Sequence, residues 1–366
     1  MQTKIIAQIK AGVLSLRYIL KDISENSPLW KDQDFCMAVV QKHGLAISFV
    51  KKEDVKDYDA LAMAAVQRDG QAITYIKKED VKDYDALAMA AVQKDGWAIQ
   101  FIKKEDFKDY DALAMAVVQK NWRAIKFIKK EDVKDYDALA LAAVQEHPWS
   151  IEKAAIQYIK KEDVKDYDAL AMAAVQEDEL TIQFIKKEDV KDYDALAMAV
   201  VQKDGWKIQL IKKEDVKDYD ALAWGAVKEF GQAITYIKKE DVKDYDALAM
   251  AAVQEDGLAI QFIKKEDVKD YDALAWDAVQ KDGWAIQFIK KEDVKDYDAL
   301  ALAAVQEHPQ SVETAAIQFI KKEDVKDYDA LAWAAVQKAG WAAIEFIKKE
   351  GVKDYDELVQ VAHGNT

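Results

Sequence analysis

The sequence predicts an all-α chain, an α-solenoid of about thirteen tandem helix-turn-helix units. Three observations predict it. The segment KKEDVKDYDALAMAAVQ at 51–67 returns nearly letter for letter, with its KKE start at 77, 103, 129, 160, 186, 212, 238, 264, 290, 321 and 348. Successive starts mostly lie 26 positions apart; two steps are 31 (129 to 160 and 290 to 321) and the last is 27, a period that marks a repeat array. Each period holds an Asp-initiated run of helix formers followed, in most units, by a Gly, and then by a shorter apolar segment. The chain is 51% apolar with only three prolines, so a continuous packed core is within reach.

Residues 1–28 match the repeat poorly and read as an N-terminal capping segment. Residues 29–50, LWKDQDFCMAVVQKHGLAISFV, form a degenerate first unit in which Met37, Val40 and Gln41 fall where Met63, Val66 and Gln67 fall in the next. Repeats occupy 51–347. Within the unit at 55–80, Asp57 is a good N-cap and Asp59 suits the first turn. YDALAMAAVQ is rich in strong helix formers. Gly70 stands where a left-handed residue would stop that helix. QAITYIKK reads as a second, shorter amphipathic α-helix, with Ile73 and Ile76 inward, Thr74 outward and Lys77 and Lys78 at its end. EDVKD is the link to the next Asp cap. At 348–366 Glu357, Gln360 and His363 make the last helix more polar, as in a terminal capping unit.

A longer period overlies the first. QAITYI at 71–76 recurs at 232–237, and EHPWSIEKAAIQ at 146–157 recurs as EHPQSVETAAIQ at 307–318, both 161 positions on, or six units. Duplication of a six-unit block explains this. Pro148 and Pro309 are expected to begin a lengthened second helix. His147, Pro148, Trp149 and their counterparts His308, Pro309 and Gln310 are candidate protrusions.

The line D-x-x-x-L-x-x-A-V-x-x-x-G-x-A-I/L-x-F/Y, with its acidic cap and short second helix, resembles the DUF4116 family of short α-helical tandem repeats. The resemblance covers about residues 29 to 362. It lapses at 119–124 (QKNWRA) and 176–182 (QEDELTI), where the Gly is absent, and at the two EHP insertions. It implies a helical repeat fold and brings no catalytic residues with it.

The chemistry of the chain narrows its function. A net charge of −15 argues against nucleic acid and against anionic membrane surfaces. The lone Cys36 allows no intrachain disulfide or cysteine-based zinc site, and its setting, DFCMAVV, reads as an apolar helix face. Lys4 and Lys10 interrupt the apolar N-terminus, no signal peptide or membrane span is evident, and a cytoplasmic protein is expected. The spacing of His43, His147, His308 and His363 suggests no catalytic arrangement, and no phosphate loop is present. Glu53, Asp54, Asp57 and Asp59 recur as a carboxylate cluster. Such a cluster suits a hard cation, but these residues serve equally as a helix cap and solvated charges balanced by Lys51, Lys52 and Lys56. The recurring KDYD tyrosines, Tyr58 to Tyr355, are expected to pack between successive hairpins.

One position varies in kind: Met63, Met89, Met115, Leu141, Met172, Met198, Trp224, Met250, Trp276, Leu302 and Trp333. The leucines fall in the two insertion units. The Met and Trp residues of this series are a candidate interaction strip, against the reading that they fill the gap between adjacent hairpins. The expected function is therefore non-catalytic and free of cofactors. A repeat scaffold is expected to act through protein–protein contacts, with self or another protein. It would either assemble into a filament or tube or, as the alternative, bind a peptide or protein as a monomer. A divalent-cation-binding repeat protein is the third reading.

Overall fold

A computed structural model describes residues 27–145, 154–307 and 315–364, together with Ile6 and Ile9. Nearly all of the expected N-terminal cap, and all six candidate protrusions (His147, Pro148, Trp149, His308, Pro309 and Gln310), lie outside the described residues. Among those described there is no strand, and the chain is an all-α solenoid of tandem repeats. It divides into two compact units, Met1–Glu177 with Phe184–Val190, and Asp178–Gln183 with Lys191–Thr366.

The first compact unit contains α1 (Gln33–Lys42), α2 (Tyr58–Arg68), α3 (Tyr84–Lys94), α4 (Tyr110–Lys120), α5 (Tyr136–Gln145) and α6 (Tyr167–Glu177). The second contains α7 (Tyr193–Lys203), α8 (Tyr219–Glu229), α9 (Tyr245–Glu255), α10 (Tyr271–Lys281), α11 (Tyr297–Gln306), α12 (Tyr328–Ala339), α13 (Trp341–Ile344) and α14 (Tyr355–Gly364). Each of these helices from α1 to α11 is followed by a short 3-10 helix, such as Gly70–Tyr75 after α2 and Gly231–Tyr236 after α8. Inside each compact unit the α-helices stand side by side in one layer and the 3-10 helices stack in a second. The core lies between the layers. Leu61, Ala62, Ala65 and Val66 of α2 are fully buried there, facing Ala72 and Ile73 of the 3-10 helix.

The expected cap starts the helix as read. The Asp57 carboxylate accepts the Ala60 N–H at 3.0 Å, and the same bond recurs from Asp83 to Ala86 and onward. The second helix differs from the sequence reading: it is 3-10 and not α, and it begins at Gly70. The physical reason lies in the pattern. Gly70, Ile73 and Ile76 are three apart and all buried, while Gln71 and Thr74, also three apart, are exposed. A helix with 3.0 residues per turn sets such a series in one straight line, whereas a 3.6-residue turn would swing it round. Ile73 and Ile76 thus point inward and Thr74 outward as expected. The EDVKD link carries its own single 3-10 turn at Lys52–Asp54.

The stop residue also differs. α2 ends at Asp69, whose N–H donates to the Ala65 carbonyl at 2.8 Å and whose side chain accepts the Gln71 N–H at 3.1 Å. One aspartate thus ends the α-helix and caps the 3-10 helix, leaving no left-handed residue between them. Gly70 has an ordinary negative φ; among the described residues only Gly340, after α12, has a positive one, at 54°. Gly70 is required for proximity instead. A Cβ there would stand 2.4 Å from the Ala91 carbonyl oxygen of α3, and one at Gly231 would meet the Ala252 oxygen of α9 at the same distance. The glycine lets successive hairpins close on each other.

Candidate interaction surface

The strip residues are neither core nor free surface. Met63, Met89, Met115 and Met172 in the first compact unit, and Met198, Trp224, Met250, Trp276 and Trp333 in the second, are all half-buried. Met198 shows where such a side chain goes. Its Sδ would lie 3.0 Å from a Cβ placed on Gly225, so it reaches across from α7 to α8 and covers the gap between them. The two leucines of the series are more open, Leu141 and Leu302 each at 39% exposure. Leucine branches at Cγ and reaches less far than methionine, and beside each a cleft opens. In the first unit a cleft of about 330 Å³ is lined by Leu141, Val164, Ala169 and Leu170, with Asp137, Lys165 and Asp166 at its rim. In the second a cleft of about 400 Å³ is lined by the same residue types 161 positions on, with Leu302, Val325, Ala330 and Leu331 as its apolar wall.

The carboxylate cluster is a fastening between hairpins. Asp59 accepts the backbone N–H of Lys82 in the next repeat at 2.8 Å, and its other oxygen lies 3.4 Å from the Lys82 ammonium. The amide bond recurs as Asp85–Lys108 and Asp111–Lys134, then in the second compact unit as Asp194–Lys217, Asp220–Lys243, Asp246–Lys269 and Asp272–Lys295. The lysine ends of these pairs are well exposed, so water screens the ion pairs heavily. The amide donor is already fixed by the backbone and needs no long side chain ordered, so the amide bond is the stronger part. It is also the first cause, ahead of the ammonium, of the Asp272 carboxyl lying below its ordinary range. A second lysine spans the same step: the Lys52 ammonium donates to the Glu79 carbonyl at 2.9 Å. Among the described residues no group of three or more His, Cys, Asp or Glu is arranged to hold a metal ion.

Tyr58 and most of its counterparts are buried between hairpins, while Tyr193, Tyr328 and Tyr355 are half-buried; burial, with Asp80 nearby, pushes the Tyr58 hydroxyl up to about 12. Cys36 is buried, donates its S–H to the Trp30 carbonyl at 3.1 Å, and is pushed up to about 12 chiefly by burial. Both are structural placements.

The sequence reading passed over a row of aromatic rings on the 3-10 layer. The last residue of each six-residue 3-10 helix is nearly always Phe or Tyr, and Tyr75, Phe101, Tyr236 and Phe288 are exposed. The second residue is often Trp, and it meets the ring that ends the next 3-10 helix. Trp97 lies 5.6 Å from Phe127, Trp206 lies 5.5 Å from Tyr236, and Trp284 lies 6.1 Å from Phe319. The signal was present in the I/L-x-F/Y end of the repeat line.

Among the described residues no helix is long and apolar enough to cross a membrane. Neither a family model, nor a curated protein, nor a solved structure matches the chain.

Proposed function

We propose that this chain is a non-catalytic scaffold that binds another protein along its repeated surface. The observation that supports it is the recurrence, in most hairpins of each compact unit, of one outward set of groups: half-buried Met or Trp, an Asp–Lys pair, and an aromatic ring. A catalytic site is needed once, whereas a surface repeated at a fixed step suits an extended partner, whose contacts add along its length. Kinship with the DUF4116-type repeats is part of the same proposal and rests on the repeat line. Solution mass and partner binding test the reading together. Light scattering across a hundredfold concentration range should give a steady mass near 41.5 kDa. Partners retained by the wild-type chain should be lost when Trp224, Trp276 and Trp333 are all changed to Ala; retention of the same partners by that variant would contradict the proposal.

The near-identity of the hairpins favours a second reading, self-assembly. Identical surfaces that associate head to tail without closing grow into filaments. Mass rising with concentration, with filaments in micrographs of the same fractions, would replace the first reading by this one.

A further inference from the structure

The aromatic row contains one arrangement that the chain completes with its own lysine and others, Trp206 with Tyr236 among them, in which an uncharged residue stands in the lysine's place. In the first compact unit the Lys126 ammonium lies 4.2 Å from the Trp97 ring centroid and 4.7 Å from that of Phe127, with Tyr158 at 5.9 Å. Trp97 and Phe127 are 5.6 Å apart at 57°. In the second compact unit Trp206 and Tyr236 hold the equivalent positions, second residue of one 3-10 helix and last residue of the next, 5.5 Å apart at 64°. The position matching Lys126 is Thr235, exposed and uncharged. The pair of rings that holds an ammonium in one unit therefore recurs in the other without the lysine.

The surroundings of the second pair favour a cation. Phe230 packs on Trp206 at 4.9 Å, adding a third ring where neighbouring repeats carry Asp. Phe230 also lines a cleft of about 360 Å³ whose walls include Glu229, Glu255 and Asp256 against the single Lys281. Among the described residues neither Glu229 nor Glu255 has an ion-pair partner. Ring faces attract a cation through their quadrupole, Trp most strongly, and nearby unpaired carboxylates add to the field that draws it in.

We propose that the Trp206–Tyr236 notch binds the ammonium group of a lysine side chain on a partner protein. The proposal rests on the scaffold reading and names the chemistry of one contact within it. The test uses the full chain labelled with ¹⁵N and follows the Trp206 indole N–H, assigned with a Trp206→Phe variant. The probe is the peptide acetyl-Gly-Lys-Gly-amide, with its norleucine counterpart as the uncharged control. The lysine peptide should shift the Trp206 signal saturably and the norleucine peptide should not. Thr235→Lys, which places in the notch what Lys126 places in the other unit, should weaken the response at least tenfold while the remaining indole signals hold their positions. Lys126→Thr should make the Trp97 signal respond as well. Equal responses to the two peptides, or an unchanged response in Thr235→Lys, would overturn the proposal. The titration needs no partner, so a chain found to have none would sink the scaffold reading and leave this result to be judged on its own.

Discussion

Gly70 and Gly96 occupy the same place in neighbouring repeats, yet they differ in what stands before them. A Cβ on Gly70 would come within 2.4 Å of backbone, the Ala91 oxygen, and 2.9 Å of the Asp95 Cβ. On Gly96 the nearest atoms are side-chain atoms of Asn121, at 3.2 Å. Backbone cannot swing aside, so Gly70→Ala should cost about 1–3 kcal/mol as overpacking. Gly96→Ala needs a shift of a few tenths of an ångström, partly offset by the reduced freedom of the unfolded chain, and should lie within about 1 kcal/mol of neutral. Urea unfolding of the two variants checks this; equal losses would show that φ and not proximity selects the glycine. At this scale the sequence was half legible. Asp57 announced itself as a cap because capping is local, read three residues ahead at Ala60. The purpose of Gly70 was hidden because its reason sits one repeat away, on Ala91.

At the level of the hairpin, the link between repeats is the Asp-to-amide bond. Asp272 accepts the Lys295 N–H at 2.7 Å and its second oxygen lies 3.0 Å from the Lys295 ammonium. Its carboxyl, like those of Asp59, Asp111, Asp137, Asp220, Asp246 and Asp298, is held below the ordinary carboxylate range, first by that amide. A folded value below the unfolded one means that the stabilisation is complete above about pH 3.9, the ordinary Asp value, and is lost as pH falls through the lower folded value. Stability to urea should therefore decline on the acid side in that window. Asp272→Asn should reduce stability at pH 7 and flatten the acid-side decline, and an unchanged slope would show that the ladder is idle. None of this pairing was legible beforehand, since the two partners belong to different repeats and each looks like an ordinary solvated charge. The type of the second helix was missed for a different reason. Six residues make too short a window to tell a period of three from one of 3.6, although Gly70, Ile73 and Ile76 carry the answer once the start is known.

For the molecule as a whole, the repeat period alone was enough to give the class of fold, because a hairpin this short cannot bury its apolar faces without neighbours. The surface was less legible. Met and Trp at the strip position look alike in sequence whether they cover a gap or await a partner, and Met198 against Gly225 shows that at least one of them covers a gap. The rings of the 3-10 layer were passed over because Phe and Tyr at the end of an apolar run carry no mark of exposure in the sequence. Gly70, Ile73 and Ile76 form the buried line, and the large ring of Tyr75 stands out to solvent although Ala72, one turn before it, is itself buried.

The Asp–amide ladder has a mechanical meaning. Every rung joins a carboxylate of one hairpin to the amide of the next, always in the same chain direction, so a pull on the two ends of a compact unit loads its rungs one after another. Hairpins held by nearly identical rungs should yield at nearly identical forces. Each release of one repeat would lengthen the tether by roughly 9 nm, at about 3.5 Å per extended residue. Single-molecule pulling should thus trace a regular sawtooth, and one abrupt rupture of the whole chain would show that the hairpins yield together. Such a molecule would behave under load as a spring with a stepwise yield, set by one aspartate per turn of the repeat.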